Sequence, residues 1–127
     1  MLLGFHSSAQ GKLALAFGPS ILWERVNHTT LAQVTSKTIT DLGALREDIE
    51  QIKSQGWSEA PEQSLMGVNA FAAPVLDKDG ALTGIITAVG SATCLTPRYD
   101  ENLRRVLLSA ANEISHRLGH VQEYKPH

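Results

Sequence analysis

The chain is poor in the features that announce a chemistry. Its 127 residues hold one cysteine, Cys94, so no internal disulfide can form. That usage is expected of a reducing cytoplasm. No charge of one sign is in excess: 11 basic residues stand against 13 acidic ones, for a net charge of -2. Gripping a nucleic-acid backbone takes clustered lysine and arginine, so direct nucleic-acid contact from this chain is not expected. No apolar run approaches the roughly 20 residues of a membrane span, and no membrane association is expected. Met1-Leu2-Leu3 passes at once into Gly4 and His6, with no basic start and no long apolar core. The reading therefore predicts no secretory leader and a cytoplasmic protein.

What is present is an ordinary globular composition. The apolar fraction is 43% and the mean hydropathy -0.10, enough for one modest core, so the chain is one domain or part of one. Ser7 or Ser8 is placed to cap a helix through Leu13, Ala16 and Phe17, which Gly18-Pro19 breaks. A short helix is expected over Ser20 to Val26, then a Thr-rich loop. Thr40 or Asp41 opens a helix whose Leu42, Leu45, Ile49 and Ile52 share one face and which Gly56 stops. A short strand is expected over Trp57 to Glu59 and a loop over Ala60 to Leu65. Met66 to Leu76 and Leu82 to Gly90 read as strands joined by the Asp77-Lys78-Asp79-Gly80 turn. Both faces of the second strand are apolar or small, so both are expected to be covered. The last helix starts at a Thr96 cap with Pro97 in its first turn, carries a stripe from Leu103 to Leu118, and ends at Gly119.

Specific chemistry is hard to find on these elements. Gly4 and Gly11-Lys12 stand too far apart for a phosphate loop, and Leu13 occupies the place of the magnesium-binding hydroxyl. Asp77-x-Asp79-Gly80 matches a calcium loop for three positions only, and Ala88 stands where its glutamate belongs. His116 and His120 are four apart, but no third ligand joins them and Gly119 lies between. No Gly-x-Ser-x-Gly elbow exists, and no activating group adjoins Cys94. Neither a metal nor a cofactor is expected. Trp57 reads as core or as the rim of a pocket. Thr87, one of few hydroxyls on an apolar strand, reads as a satisfied β-former or as a polar contact in an apolar pocket.

Four blocks accumulate into a resemblance. Phe5-His6-Ser7-Ser8-Ala9-Gln10-Gly11-Lys12-Leu13-Ala14-Leu15-Ala16, then Thr38-Ile39-Thr40-Asp41 with a helix ending in Gly56-Trp57, then Gly67 to Asp77 with its Ala72-Ala73-Pro74-Val75, then Leu95-Thr96-Pro97 leading to Ala110 through Ser115, follow one another. In kind and order they resemble the effector-binding domain of the IclR-family transcriptional regulators, over roughly residues 5 to 119. The resemblance implies an α+β, GAF-like antiparallel sheet flanked by helices with a long final helix. It implies that residues 1–127 correspond to the C-terminal two thirds of the effector domain. The first strands of the complete domain and the winged helix-turn-helix that binds DNA would lie outside this chain.

The resemblance also implies a pocket. Carried over by position, its lining is Ala9 and Gln10 in the loop before Gly11-Lys12, Ala60 after the Gly-aromatic pair with Gln63 nearby, Ala70 on the first strand, and Thr87 and Val89 on the second. Asn69 stands beside Ala70. Positions that are acidic, thiol or hydroxyl in family members sensing small acids are Ala60, Ala70 and Val89 here. The implied effector is therefore a small organic molecule bulkier than glyoxylate or pyruvate, such as an aromatic or larger carboxylic acid. The implied partner is a second copy, in a homodimer or tetramer. Two other readings stand beside this one: a lone oligomerisation remnant without a complete pocket, and a small enzyme on a GAF-like scaffold using Cys94 or a histidine.

Overall fold

The computed structural model describes residues 5–95 and 101–120. Ser8, in extended conformation, accepts from the Gly11 amide at 3.0 Å and so caps helix α1, Ala9–Phe17. A side chain at residue 11 would meet Phe5 Cα at 2.7 Å, so only glycine lets the preceding turn pass this close to the helix. Pro19 leads into α2, Ser20–Asn27. The Asp41 carboxylate accepts from the Ala44 amide at 2.9 Å and starts α3, Leu42–Gln55. Gly56, at φ 86°, ends α3 by donating its amide to Ile52 at 2.8 Å.

Strands β1 (Ser58–Pro61), β2 (Val68–Leu76) and β3 (Leu82–Ser91) form an antiparallel sheet in the order β1-β2-β3. Helix α4, Glu101–Arg117, follows. The result is the α+β arrangement expected. The β2–β3 turn forms as predicted: the Asp77 carboxylate accepts from the amides of Asp79 and Ala81 at 2.8 and 3.0 Å, and Gly80 takes φ 78°.

Several boundaries differ from expectation. Ala60 belongs to β1 rather than to a loop, because it pairs with Ala70. β2 begins at Val68, not Met66, because Leu65 to Gly67 complete the connecting turn, where the Val68 amide donates to Leu65 and Gly67 sits at φ 81°. The predicted Thr96 cap and Pro97 lie outside the described residues. The stop at Gly119 matches a φ of 92° there.

Alternation along β2 divides the core in two. Phe71, Ala73 and Val75 pack with Trp57 against Leu107 and Ala111 of α4. The Trp57 and Phe71 rings stand 4.9 Å apart, and the Arg104 guanidinium lies 5.6 Å from the Trp57 ring centre. On the other face Ala70, Ala72 and Ile85 meet Ala9 and Leu13 of α1, with Leu45, Ile49 and Ile52 of α3 behind them. The expectation that both faces of β3 are covered is corrected here: Thr83 and Val89 are exposed on the α1 side, which α1 does not span fully. The α4 stripe divides as well. Leu107 and Ala111 are buried, whereas Val106, Ile114 and Leu118 are exposed.

Candidate functional site

Strand register brings four of the candidate residues together. Ala60 pairs with Ala70, and Ala70 with Val89, in one row across all three strands. The adjacent row on the same face is Ser58, Ala72 and Thr87. Side chains in such rows stand about 5 Å apart, close enough to form a continuous surface. Five of the six are Ala, Ser or Thr. Ser58, Ala60 and Ala72 are fully buried beneath α1, Ala70 and Thr87 are half-buried and Val89 is exposed, so only the β3 end of the two rows is open.

Ala9 and Gln10, carried over as loop residues, are instead the first two residues of α1. Ala9 is fully buried and its carbonyl accepts from Ser58 Oγ at 2.5 Å, which fixes the start of α1 over β1. Gln10 beside it is half-buried. The first amides of a helix carry the positive end of its dipole; at α1 the Gly11 amide is already taken by the Ser8 hydroxyl, so this end offers an anionic group its dipole more than free donors. The margin of the face near Val89 is open, with Val89 66% exposed. The clefts formed by the helices lie elsewhere: one of about 370 Å³ is lined by Leu15, Gly18, Trp23, Arg46 and Lys53, away from the rows.

Two candidates are not brought to this face. Asn69 points to the α4 side, because neighbouring residues of a strand alternate. Its Nδ2 donates to the Leu95 carbonyl at 2.8 Å, while its buried Oδ1 has no partner among the described residues. Gln63 turns to Lys12, accepting from its ammonium at 2.9 Å. Trp57 is core beneath α4 and lies on the opposite side of the sheet from the candidate rows.

Sequence reasoning missed Ser58, a buried hydroxyl in the row of Thr87. Its signal was available only once Ser58 could be set against Ala72. It also gave Lys12 no role of its own, using Gly11-Lys12 as a failed phosphate loop and as part of a family block. Lys12 is 1% exposed; its ammonium meets Asp48 of α3 at 2.7 Å as well as Gln63 in the loop after β1. That loop is held further by Thr35 and Thr38, whose hydroxyls donate to the carbonyls of Glu62 and Gln63 at 2.5 and 2.6 Å. Lys37 reaches the Glu62 carboxylate at 2.5 Å, and this bond first, then the Gly67 amide, holds the Glu62 pKa below its ordinary value.

Cys94 is exposed, and its thiol neighbours the Thr93 hydroxyl at 3.8 Å. His120 Nδ1 lies 3.0 Å from the Asp77 carbonyl. Among the described residues no three His, Cys, Asp or Glu side chains gather as a metal site would require. Among them, too, no helix is long and apolar enough to cross a membrane.

Comparison with known proteins fits this architecture. Residues 2–116 match the family model of the bacterial transcriptional regulator IclR C-terminal region. The chain is 30% identical over 118 residues to the HTH-type transcriptional regulator RhmR of Escherichia coli K12, an alignment covering 92% of this chain and 45% of that protein. It superimposes on the crystal structure of the Thermotoga maritima IclR with a TM-score of 0.83 at 30% identity, over 94% of this chain and 49% of that one. It shares the fold of a PobR inducer-binding domain from Acinetobacter, solved as a double mutant with 3-hydroxybenzoic acid, with a TM-score of 0.79 at 24% identity; 89% of this chain and 66% of that one are covered. The chain thus spans about half the length of its full-length relatives. These relatives are regulators, not enzymes.

Proposed function

Since the chain belongs to the C-terminal family of bacterial IclR transcriptional regulators, we propose that residues 1–127 are the larger part of an effector-binding and self-associating domain. In the whole regulator it would govern DNA binding by a separate winged-helix domain, in the cytoplasm and without touching DNA itself. The observation that carries the reading is the pair of rows Ala60–Ala70–Val89 and Ser58–Ala72–Thr87 beside the start of α1. Where α1 leaves these rows uncovered, at Ala70, Thr87 and Val89, small side chains leave room for a planar apolar body. The Thr87 hydroxyl, Gln10 and the positive end of α1 supply the few polar contacts a carboxylate needs. The effector is accordingly an aromatic or larger carboxylic acid. The inducer-binding domain of the same fold that holds 3-hydroxybenzoic acid supports this chemical class.

Thermal unfolding of the chain with a panel of acids tests the reading. A ligand at 100 times its Kd adds about 2.7 kcal/mol to the folded state, enough to raise Tm by several degrees. Benzoate-type acids are expected to give that rise, and glyoxylate and pyruvate none. A response to the two small acids alone would reverse the effector assignment. The exposure of Val89 favours a second reading, in which this chain is an oligomerising piece whose wall needs further chain to enclose a ligand. No response to any acid would support it.

A further inference from the structure

The cleft of about 370 Å³ among the helices lies away from the sheet rows and is built from this chain alone. Gly18 ends α1 so tightly that a side chain there would meet the Ala14 carbonyl oxygen at 2.4 Å, and α2 follows directly after Pro19. With α3 packed beside α1, that bend leaves a space lined by Leu15 and Ile49, which are buried, and by Trp23, which is half-buried. Its volume is that of a small-molecule site. Arg46, Glu50 and Lys53 complete the lining.

Arg46 is the informative residue. Its guanidinium lies 5.3 Å from the centre of the Trp23 ring. An indole face attracts a guanidinium but does not take up its five N–H donors as a carboxylate would. Glu47 and Glu50 share α3 with Arg46, yet among the described residues Arg46 makes no ion pair. Glu50 turns to Lys53 at 3.4 Å, a contact between exposed groups. The stack on Trp23 therefore holds a cation in place and leaves its fork free. A fork so held is suited to bidentate recognition of a carboxylate, because little side-chain order remains to be imposed. Beside it, Leu15 and Ile49 offer an apolar bed.

We propose that the cleft between α1, α2 and α3 is a second ligand site, for a small carboxylic acid with an apolar body, whose carboxylate takes the Arg46 guanidinium. It does not rest on the site proposed at the sheet face. Both its apolar bed and its cation lie within this chain, so the 127-residue chain is sufficient to test it.

Trp23 reports on the site directly. Trp57 lies beneath α4 on the far face of the sheet, so Trp57→Phe leaves an indole at the cleft as the only one in the chain. Titration of that variant with benzoate is expected to change the Trp23 emission saturably, with circular dichroism confirming the fold. Should Trp57→Phe fail to fold, the same change is read as the difference between the unaltered chain and Trp23→Phe. Arg46→Gln should weaken binding by about tenfold or more, the size expected for a charged hydrogen bond. Arg46→Lys should weaken it too, since an ammonium replaces the fork by a point charge. Benzamide, the uncharged isostere, should bind at least about tenfold more weakly. An emission change that survives Arg46→Gln, or that inorganic phosphate reproduces at equal concentration, overturns the proposal. So does the absence of any change, which would leave the Arg46 fork to a carboxylate side chain from elsewhere in the regulator. None of these results decides the reading of the sheet rows, which the Tm panel tests.

Discussion

The two faces of the sheet are made by alternate residues of the same strand, yet they are built to different standards. Phe71, Ala73 and Val75 are buried with Trp57 under α4, in a core closed by rings, a guanidinium and the Ser115 hydroxyl, which accepts from the Leu76 amide at 2.9 Å. Ala70 and Ala72, in between, present small side chains to a face that α1 covers at one margin and leaves open at Val89. One face sets large residues on the strand itself; the other keeps its strand residues small and takes its bulk from Leu13, Leu45, Ile49 and Ile52 of the helices packed on it. Only the margin by Thr87 and Val89 is left without such cover, and that difference is the reason to propose that something else binds there.

The comparison can be broken by substitution, and the largest effect is expected on the sealed face. Phe71→Ala should cost about 3–5 kcal/mol, read as a lower urea midpoint, because it opens a cavity beneath Trp57. A loss below about 1 kcal/mol would mean that this face is not the cohesive one. Next comes the clamp at the margin of the open face. Lys12→Ala deprives Asp48 and Gln63 of their shared donor and should cost about 2 kcal/mol, less than a fully buried pair because Asp48 is partly solvated. On the open face itself, Val89→Ser should change stability by no more than about 0.5 kcal/mol. It should nonetheless alter which acids raise Tm, and equal responses from the two proteins would remove Val89 from the site.

The smallest effect concerns pH. Lys37 and the Gly67 amide hold the Glu62 carboxyl below its ordinary value of 4.5. Its contribution is therefore present above that value and fades as pH falls through the lower, folded-state value. Glu62→Gln should flatten the acid side of a stability-versus-pH curve measured by urea midpoints and leave the neutral side nearly unchanged. An unaltered acid limb would detach this pair from the stability of the β1–β2 loop.

Local features of this fold were legible because they depend on neighbours in the chain. The caps at Ser8 and Asp41, the stop at Gly56 and the Asp77 turn each need only a few adjacent residues, and all formed as read. Faces were harder. Ala60, Ala70, Thr87 and Val89 came together through a register that no single strand discloses, and here the family resemblance supplied what spacing could not. Asn69 entered the candidate set through adjacency to Ala70, and adjacency on a strand means opposite sides. Trp57 was ambiguous until Ser58 paired with Ala72, which turned the indole toward α4. Lys12 was illegible for a different reason: its stem spans from α1 to partners 36 and 51 positions away, and nothing in the local sequence marks it as buried.

Strand β3 has a consequence beyond its part in the wall. Among the described residues it pairs on one side only, with β2. Its ten residues, Leu82 to Ser91, include two isoleucines, a valine and two threonines, with no charge and no proline. These are the ingredients of cross-β stacking, and of the devices that blunt a free edge the strand has a bulge at Thr83, where Val75 pairs with Gly84 and Leu76 with Leu82. Its two glycines temper that tendency without removing it. At high concentration the chain is expected to be lost to fibrillar solids more readily than its net charge alone would suggest. Whatever lies along that edge in the cell also serves as protection against aggregation.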